Sequence, residues 1–260
     1  MSNTTLININ LINNKKHLLD SLLHIIETTV IIIPDTKMQI GNFIVVKSGG
    51  GDLYLCTINN DNKPYIFKKF NNVNNPEIKL EEMKLRMPIW SVLNKNPYFM
   101  KVVAIVTDNT HQLFRGLVLE NLSDYKSVHN VCDNNNNYFR NLNNNQSIKF
   151  QQDFISICYY LFKLNLCSHI EHGGNIMIKQ TNTSDIEIKI VDPDEIGNLY
   201  GCGIIFDDQK DSLKQLKIIL SGCSLPYNFH IQPFKDLINR DIYIDMETFI
   251  KSAELDIKNV

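Results

Sequence analysis

Residues 169–194 read HIEHGG-NIMI-KQTNTSD-IEIKIV-DPD. A polar, glycine-containing loop runs straight into a short apolar strand. A polar turn comes next, and a second run, alternating at first, ends in Val191 and Asp192. Two such runs joined by a turn predict a β-hairpin. The hairpin would begin at Asn175 and finish at Asp192, which brings both residues to the same end. A loop backed by a rigid strand is where catalytic groups are often carried.

Upstream, FQQDFISICYYLFKLNL (150–166) reads as an apolar helix that feeds this loop. Before it, DNNNNYFRNLNNNQS (133–147) has little to bury and is expected to be a mobile surface loop. Downstream, QKDSLKQLKIILSG (209–222) predicts a helix with Gly222 as its C-cap. Shorter helices are expected near 233–239 and 246–255.

The first half has another texture. IGNFIVV (40–46), DLYLCTI (52–58) and PYIFKKF (64–70) are β-rich runs with short connections, the first two flanking KSGGG. PEIKLEEMKLRMPIWSVL predicts a helix starting near Pro76, with Ile78, Met83, Leu85 and Ile89 as its apolar positions. FMKVVAIVTD and QLFRGLVLENL predict two more strands with a turn near Asn109. The expectation is a five-stranded antiparallel sheet with one helix inserted after its third strand. Residues 15–29, KKHLLDSLLHIIETT, place Leu18, Leu19, Leu22, Leu23, Ile25 and Ile26 on one helical face, as in a helix packed on the outside of the β-rich segment.

Bulk properties narrow the class. The chain has 260 residues, 43% apolar, enough for one large domain or two small lobes. A net charge of −2 gives no reason to expect nucleic acid or a membrane surface as partner. LLHIIETTVIIIP is interrupted by His24 and Glu27 and is too short and polar for a membrane span. Cys56, Cys132, Cys158, Cys167, Cys202 and Cys223 form no CxxC pair and no zinc spacing, so reduced, buried thiols are expected. The opening MSNTTLININ lacks a signal-peptide pattern, and a cytoplasmic location is the resulting expectation. Asparagine supplies 33 residues, a bias that AT-rich codons produce, so single asparagines carry little weight.

Taken in order, a glycine loop between two strands, a lysine on the third strand, an acid on the next helix, a hinge-like LEN, a long helix, a loop ending in Asn and a hairpin ending in Asp resemble a protein-kinase-superfamily domain. The resemblance covers about Ile40 to Gly222. It implies an α+β, two-lobed kinase-like fold. An N-terminal helical extension (1–39) would precede an N-lobe (40–122) and a small, mostly helical C-lobe (123–260).

The resemblance also implies a site for ATP and Mg²⁺. KSGGGDLYLC resembles the glycine-rich phosphate loop, with Ser48, Gly49, Gly50 and Gly51 approaching the nucleotide through small residues. The first two glycine positions of the family's pattern fall on Val46 and Ser48, and Gly51 matches the third. YIFKKF resembles the third-strand motif, which puts Lys68 at the α/β-phosphates and Lys69 on the other face. Glu82, or Glu81, would hold Lys68, and either could instead serve an ion pair along its own helix. In LVLENL, the backbone from Glu120 to Leu122 would meet the adenine edge. Asn175 and Asp192 match the family's metal-holding Asn and Asp, and Asp194 adds a further carboxylate.

One position departs. The family's catalytic Asp lies five residues before the Asn, and here that residue is Ile170. Either the loop keeps the D-x-H-x-x-N spacing with His172 in place and the Asp lost, or it is one residue short and His169-Ile170-Glu171 stands for H-x-D, with Glu171 as base. Both histidines also fit structural roles. Eighteen residues separate Asp192 from Asp211, with no A-P-E motif, no serine and no threonine, so a standard activation segment does not fit. Three readings are compatible with this pattern. One is an ATP·Mg²⁺-dependent phosphotransferase, and another is a pseudokinase that binds nucleotide or acts as a scaffold. The third is a kinase-derived fold that binds a protein partner through its N-terminal helix or Asn-rich loop.

Overall fold

The β-rich runs of the first half form one sheet of six strands. The computed structural model describes residues 28–44, 51–58, 61–71, 73–127, 143–164, 166–167, 175–181, 185–194 and 196–198. In the compact unit within Ser21–Ser123, the chain runs through β1 (Ile31–Pro34), a 3-10 turn (Asp35–Lys37), β2 (Met38–Ile44), β3 (Gly51–Ile58) and β4 (Tyr65–Phe70). It continues through α1 (Pro76–Leu93), β5 (Val102–Thr107) and β6 (Phe114–Glu120). The strand order is β1-β5-β6-β4-β3-β2.

Pairings among β2 to β6 are antiparallel. β1 lies parallel to β5, with Ile31 opposite Ala104 and Pro34 opposite Thr107. The expected five-stranded, wholly antiparallel sheet is therefore corrected to a mixed sheet of six. The added strand comes from residues expected to belong to the helical extension. Three consecutive isoleucines are stiff at χ1 and suit a pleated surface, and Pro34 is tolerated because β1 is an edge. Thr28 and Thr29 are not helical either; the Thr29 amide donates to Ser91 Oγ at 3.0 Å.

Both faces of the sheet carry apolar clusters. On one face Ile66, Val102, Ile105, Leu117 and Leu119 pack with Leu80, Met83 and Trp90 of α1. On the other, Ile33, Met38, Cys56, Phe67, Val106 and Val118 pack together. Pro76 opens α1 at a position where a missing N–H costs nothing. The buried side of α1 is Leu80, Met83, Trp90, Val92 and Leu93. This corrects the expected face: Met83 is buried, but Ile78 is 68% and Leu85 80% exposed.

From Asp124 on, the described elements are β7 (Lys126–Ser127), α2 (Asn144–Lys163), β8 (Leu166–Cys167), β9 (Ile176–Gln180), β10 (Ile186–Ile190) and β11 (Gly197–Asn198). β10, β9 and β7 form one antiparallel sheet, and β11 pairs with β8. Phe150, Phe154, Ile157 and Leu161 make the buried stripe of α2, which packs on β10. The expected loop 133–147 is corrected at its end. Asn143 Oδ1 accepts from the Gln146 amide at 3.0 Å, and the Asn143 amide donates to Gln146 Oε1 at 3.1 Å. This reciprocal cap starts the helix at Asn144, so the end of the Asn-rich run is a helix signal rather than a loop.

The expected helices over 209–222, 233–239 and 246–255, residues 15–27 of the expected first helix, and residues 133–142 of the expected loop lie outside the described residues. No described helix is long and apolar enough to cross a membrane.

Candidate functional site

Alternation along β4 decides where its two lysines go. Ile66 and Phe70 lie on the α1 face, and Tyr65 and Phe67 on the other. Lys68 therefore shares the α1 face, between Leu53 of β3 and Leu117 of β6 in the register. It is 2% exposed, whereas Lys69 is exposed. Its Nζ stands 5.1 Å from the centre of the Phe70 ring, a cation–π distance. Withdrawing an ammonium from water is costly, which sets Lys68 apart from an ordinary surface lysine at a strand end.

The carboxylates expected to hold Lys68 are engaged along α1. Glu82 accepts from Lys79 Nζ at 2.9 Å and from Arg86 at 3.4 Å. Glu81 pairs with Lys84 at 2.6 Å. These are the helix-face ion pairs that the spacing also allowed. Glu120 closes the β5–β6 hairpin: its amide donates to Lys101 O at 2.9 Å, and its carboxylate accepts from the Lys101 amide at 3.2 Å. Leu122, two residues on, is buried. Gly51 begins β3 opposite Phe70.

In the second unit, β9 and β10 form the predicted hairpin. Ile176 faces Ile190, and the Val191 amide donates to the Asn175 carbonyl at 3.0 Å. Asn175 and Asp192 thus lie at the same end of the hairpin, Asp192 one residue beyond the partner of Asn175. Asn175 is buried; Asp192 and Asp194 are partly buried. Asp192 has φ +56°, in the left-handed region that non-glycine residues seldom adopt. Such a conformation persists only where the surroundings impose it, and it concentrates at functional sites.

The opposite end of this hairpin carries a polar cluster that the residue patterns did not announce. Tyr125 donates to Glu187 at 2.5 Å, and Lys179 is bound to Asp124 while lying 5.5 Å from the Tyr125 ring. The hydrogen bond from Lys179 holds the Asp124 carboxyl below the usual range and raises the Lys179 amine. The cluster ties β7 to β9 and β10.

Ser48, Gly49, Gly50, Glu171 and the neighbouring His169, Ile170 and His172 lie outside the described residues. A second feature missed from the sequence is Gly116, a lone glycine inside the β6 pattern. Such a glycine is a signal of a bulge or of close backbone approach. Among the described residues, no group of three or more His, Cys, Asp or Glu side chains is placed to hold a metal alone. Comparison of the chain with protein-family models and with curated proteins gives no match.

Proposed function

We propose that the chain is a kinase-like protein that binds ATP with Mg²⁺. The observation that carries this reading is the β9–β10 hairpin, which brings Asn175 and Asp192 to the same end, with Asp192 in a left-handed conformation. Asn175, Asp192 and Asp194 offer hard oxygen donors of the kind Mg²⁺ prefers. Mg²⁺ usually takes one or two carboxylates and completes its shell with water and phosphate oxygens. Bound there, it would neutralise charge on the phosphates. Lys68 supplies the cation for the α/β-phosphates, and its burial on the strand before α1 supports that role. The small residues Ser48 to Gly51 would cover the phosphates, and the backbone from Glu120 to Leu122 would meet the base.

Phosphoryl transfer is the further step of this proposal, with Glu171 as the base in place of the Asp that Ile170 replaces. The same residues also serve a pseudokinase that holds nucleotide without transferring phosphate.

Thermal unfolding with ATP and Mg²⁺ tests the reading. A ligand bound by the folded state alone at a hundred times its Kd stabilises by about 2.7 kcal/mol. Lys68→Met and Asp192→Ala should each reduce the shift, the second chiefly when Mg²⁺ is present. No shift in the unmodified protein at millimolar ATP would refute nucleotide binding and leave the partner-binding reading.

A further inference from the structure

The segment of β4 that carries Lys68 is gripped from both sides by residues without side chains. On the β6 side, a methyl placed on Gly116 would be driven into the Lys68 carbonyl oxygen and would also lie 2.5 Å from the Phe67 ring. On the β3 side, a methyl on Gly51 would be driven into the Lys69 carbonyl oxygen and would lie 3.2 Å from Phe70 Cα. Real Cβ atoms essentially never approach other atoms within 3.0 Å, and a backbone carbonyl cannot swing aside as the end of a side chain can. Both glycines are buried.

Gly116 also adjoins an irregularity of β6. Val106 faces Gly116 and Thr107 faces Phe114, so Arg115 is an extra residue on the β6 strand. A bulge of this kind re-aims the backbone next to it and is often found beside a site. By contrast, a methyl on Gly41 in β2 would meet Leu55 O at 3.3 Å, which a shift of a few tenths of an ångström relieves.

We propose that Gly116 is a positioning residue for Lys68: its missing side chain lets β6 lie against the Lys68 carbonyl and thereby sets where the Lys68 side chain starts. The functional consequence rests on the nucleotide-binding reading; the positional effect does not. Gly116→Ala must move β4 at Lys68 itself, because the carbonyl it displaces belongs to that residue. Gly51 opposes the movement from the other side, so the displacement is carried into the lysine side chain rather than spread along the strand.

Two measurements test this. The first is a double-mutant cycle on ATP·Mg²⁺ affinity with unmodified protein, Gly116→Ala, Lys68→Met and the double variant. Gly116→Ala is expected to weaken binding roughly tenfold or more, the scale of a lost hydrogen bond to a charged group. In the Lys68→Met background it should cause no further loss, since it acts through that amine. Independent, additive losses, or no loss from Gly116→Ala, would overturn the proposal. The second uses protein labelled with ¹³C at lysine Cε, the Lys68 signal being assigned by its disappearance in Lys68→Met. That signal should move in Gly116→Ala more than those of other lysines, and stay in place in Gly41→Ala. An unmoved Lys68 signal, or equal movement of all lysines, overturns the proposal even if ATP does not bind at all; a failure of ATP to bind by itself counts only against the nucleotide reading. Should Gly116→Ala not fold, Phe67→Leu removes the ring in its path while leaving the carbonyl contact, and both measurements are made in that background.

Discussion

Burial sets the chemistry of Cys56. It is 4% exposed in the apolar cluster formed with Tyr65 and Phe67, and burial pushes its thiol from 9.0 up to about 12. The neutral thiol is thus favoured by folding. The stability this contributes is complete below pH 9 and is lost as pH rises from there toward 12. Because the thiolate is the reactive form, Cys56 is expected to resist alkylation at pH 8 in the folded protein and to react fully once the chain is unfolded. Mass spectrometry of labelled peptides checks this, and rapid labelling under native conditions would contradict the assigned burial. For this cysteine, the spacing of the six along the chain already points to a buried, reduced thiol. Glu82 is less legible: KLEEMKLR offers partners at helix spacing to either glutamate, and only the folded structure shows both carboxylates on neighbours of the same helix.

α1 tests which face of an element is buried. Trp90 is fully buried against the sheet, so Trp90→Ala should cost about 3–5 kcal/mol. Leu85, 80% exposed, should tolerate Leu85→Ala within about 0.5 kcal/mol. Urea unfolding of the two variants measures the difference; a Leu85→Ala cost as large as that of Trp90→Ala would put the helix on the wrong face. β1 makes the companion prediction. It covers the edge of β5, whose residues VVAIVT are almost all buried. Ile33→Asp sets a charge in a 5% exposed position and should loosen this cover. An uncovered apolar edge pairs with other chains, so Ile33→Asp should aggregate on mild heating at temperatures the unmodified protein survives. Light scattering during a thermal ramp records it, and a variant as soluble as its parent would argue that β1 is dispensable.

For the molecule as a whole, the question raised by the proposed function is whether a bound nucleotide would be used for transfer. Ile170 cannot accept a proton or hydrogen-bond a hydroxyl. A well-placed general base contributes roughly 10²–10⁴-fold to rate. If Glu171 takes that role, Glu171→Gln should lower single-turnover phosphate transfer by about that factor and leave ATP·Mg²⁺ affinity unchanged, because Gln keeps the shape but not the basicity. Transfer in the unmodified protein that survives Glu171→Gln would remove Glu171 from the role and make Asp194 the next residue to test.

Local pattern is enough for much of the architecture: the β9–β10 hairpin, the helix opening at Pro76 and the strands around Lys68 all arise from alternation, turn residues and β-branched runs within a few residues of each other. Asn175 and Asp192 are legible as a pair for the same reason, since a hairpin fixes its own ends. What local pattern does not determine is anything that depends on a distant strand. Ile31–Pro34 joins the sheet in parallel with β5, some seventy residues away, a pairing that can form only after β2, β3, β4 and α1 have returned the chain to that edge. The buried face of α1 is likewise open in the sequence, because Ile78 and Leu85 are as apolar as Leu80 and Met83, and only the sheet beneath selects between them. Gly116 belongs to the same class. Its sequence shows a missing side chain, and the tertiary structure alone supplies the carbonyl that a side chain would strike.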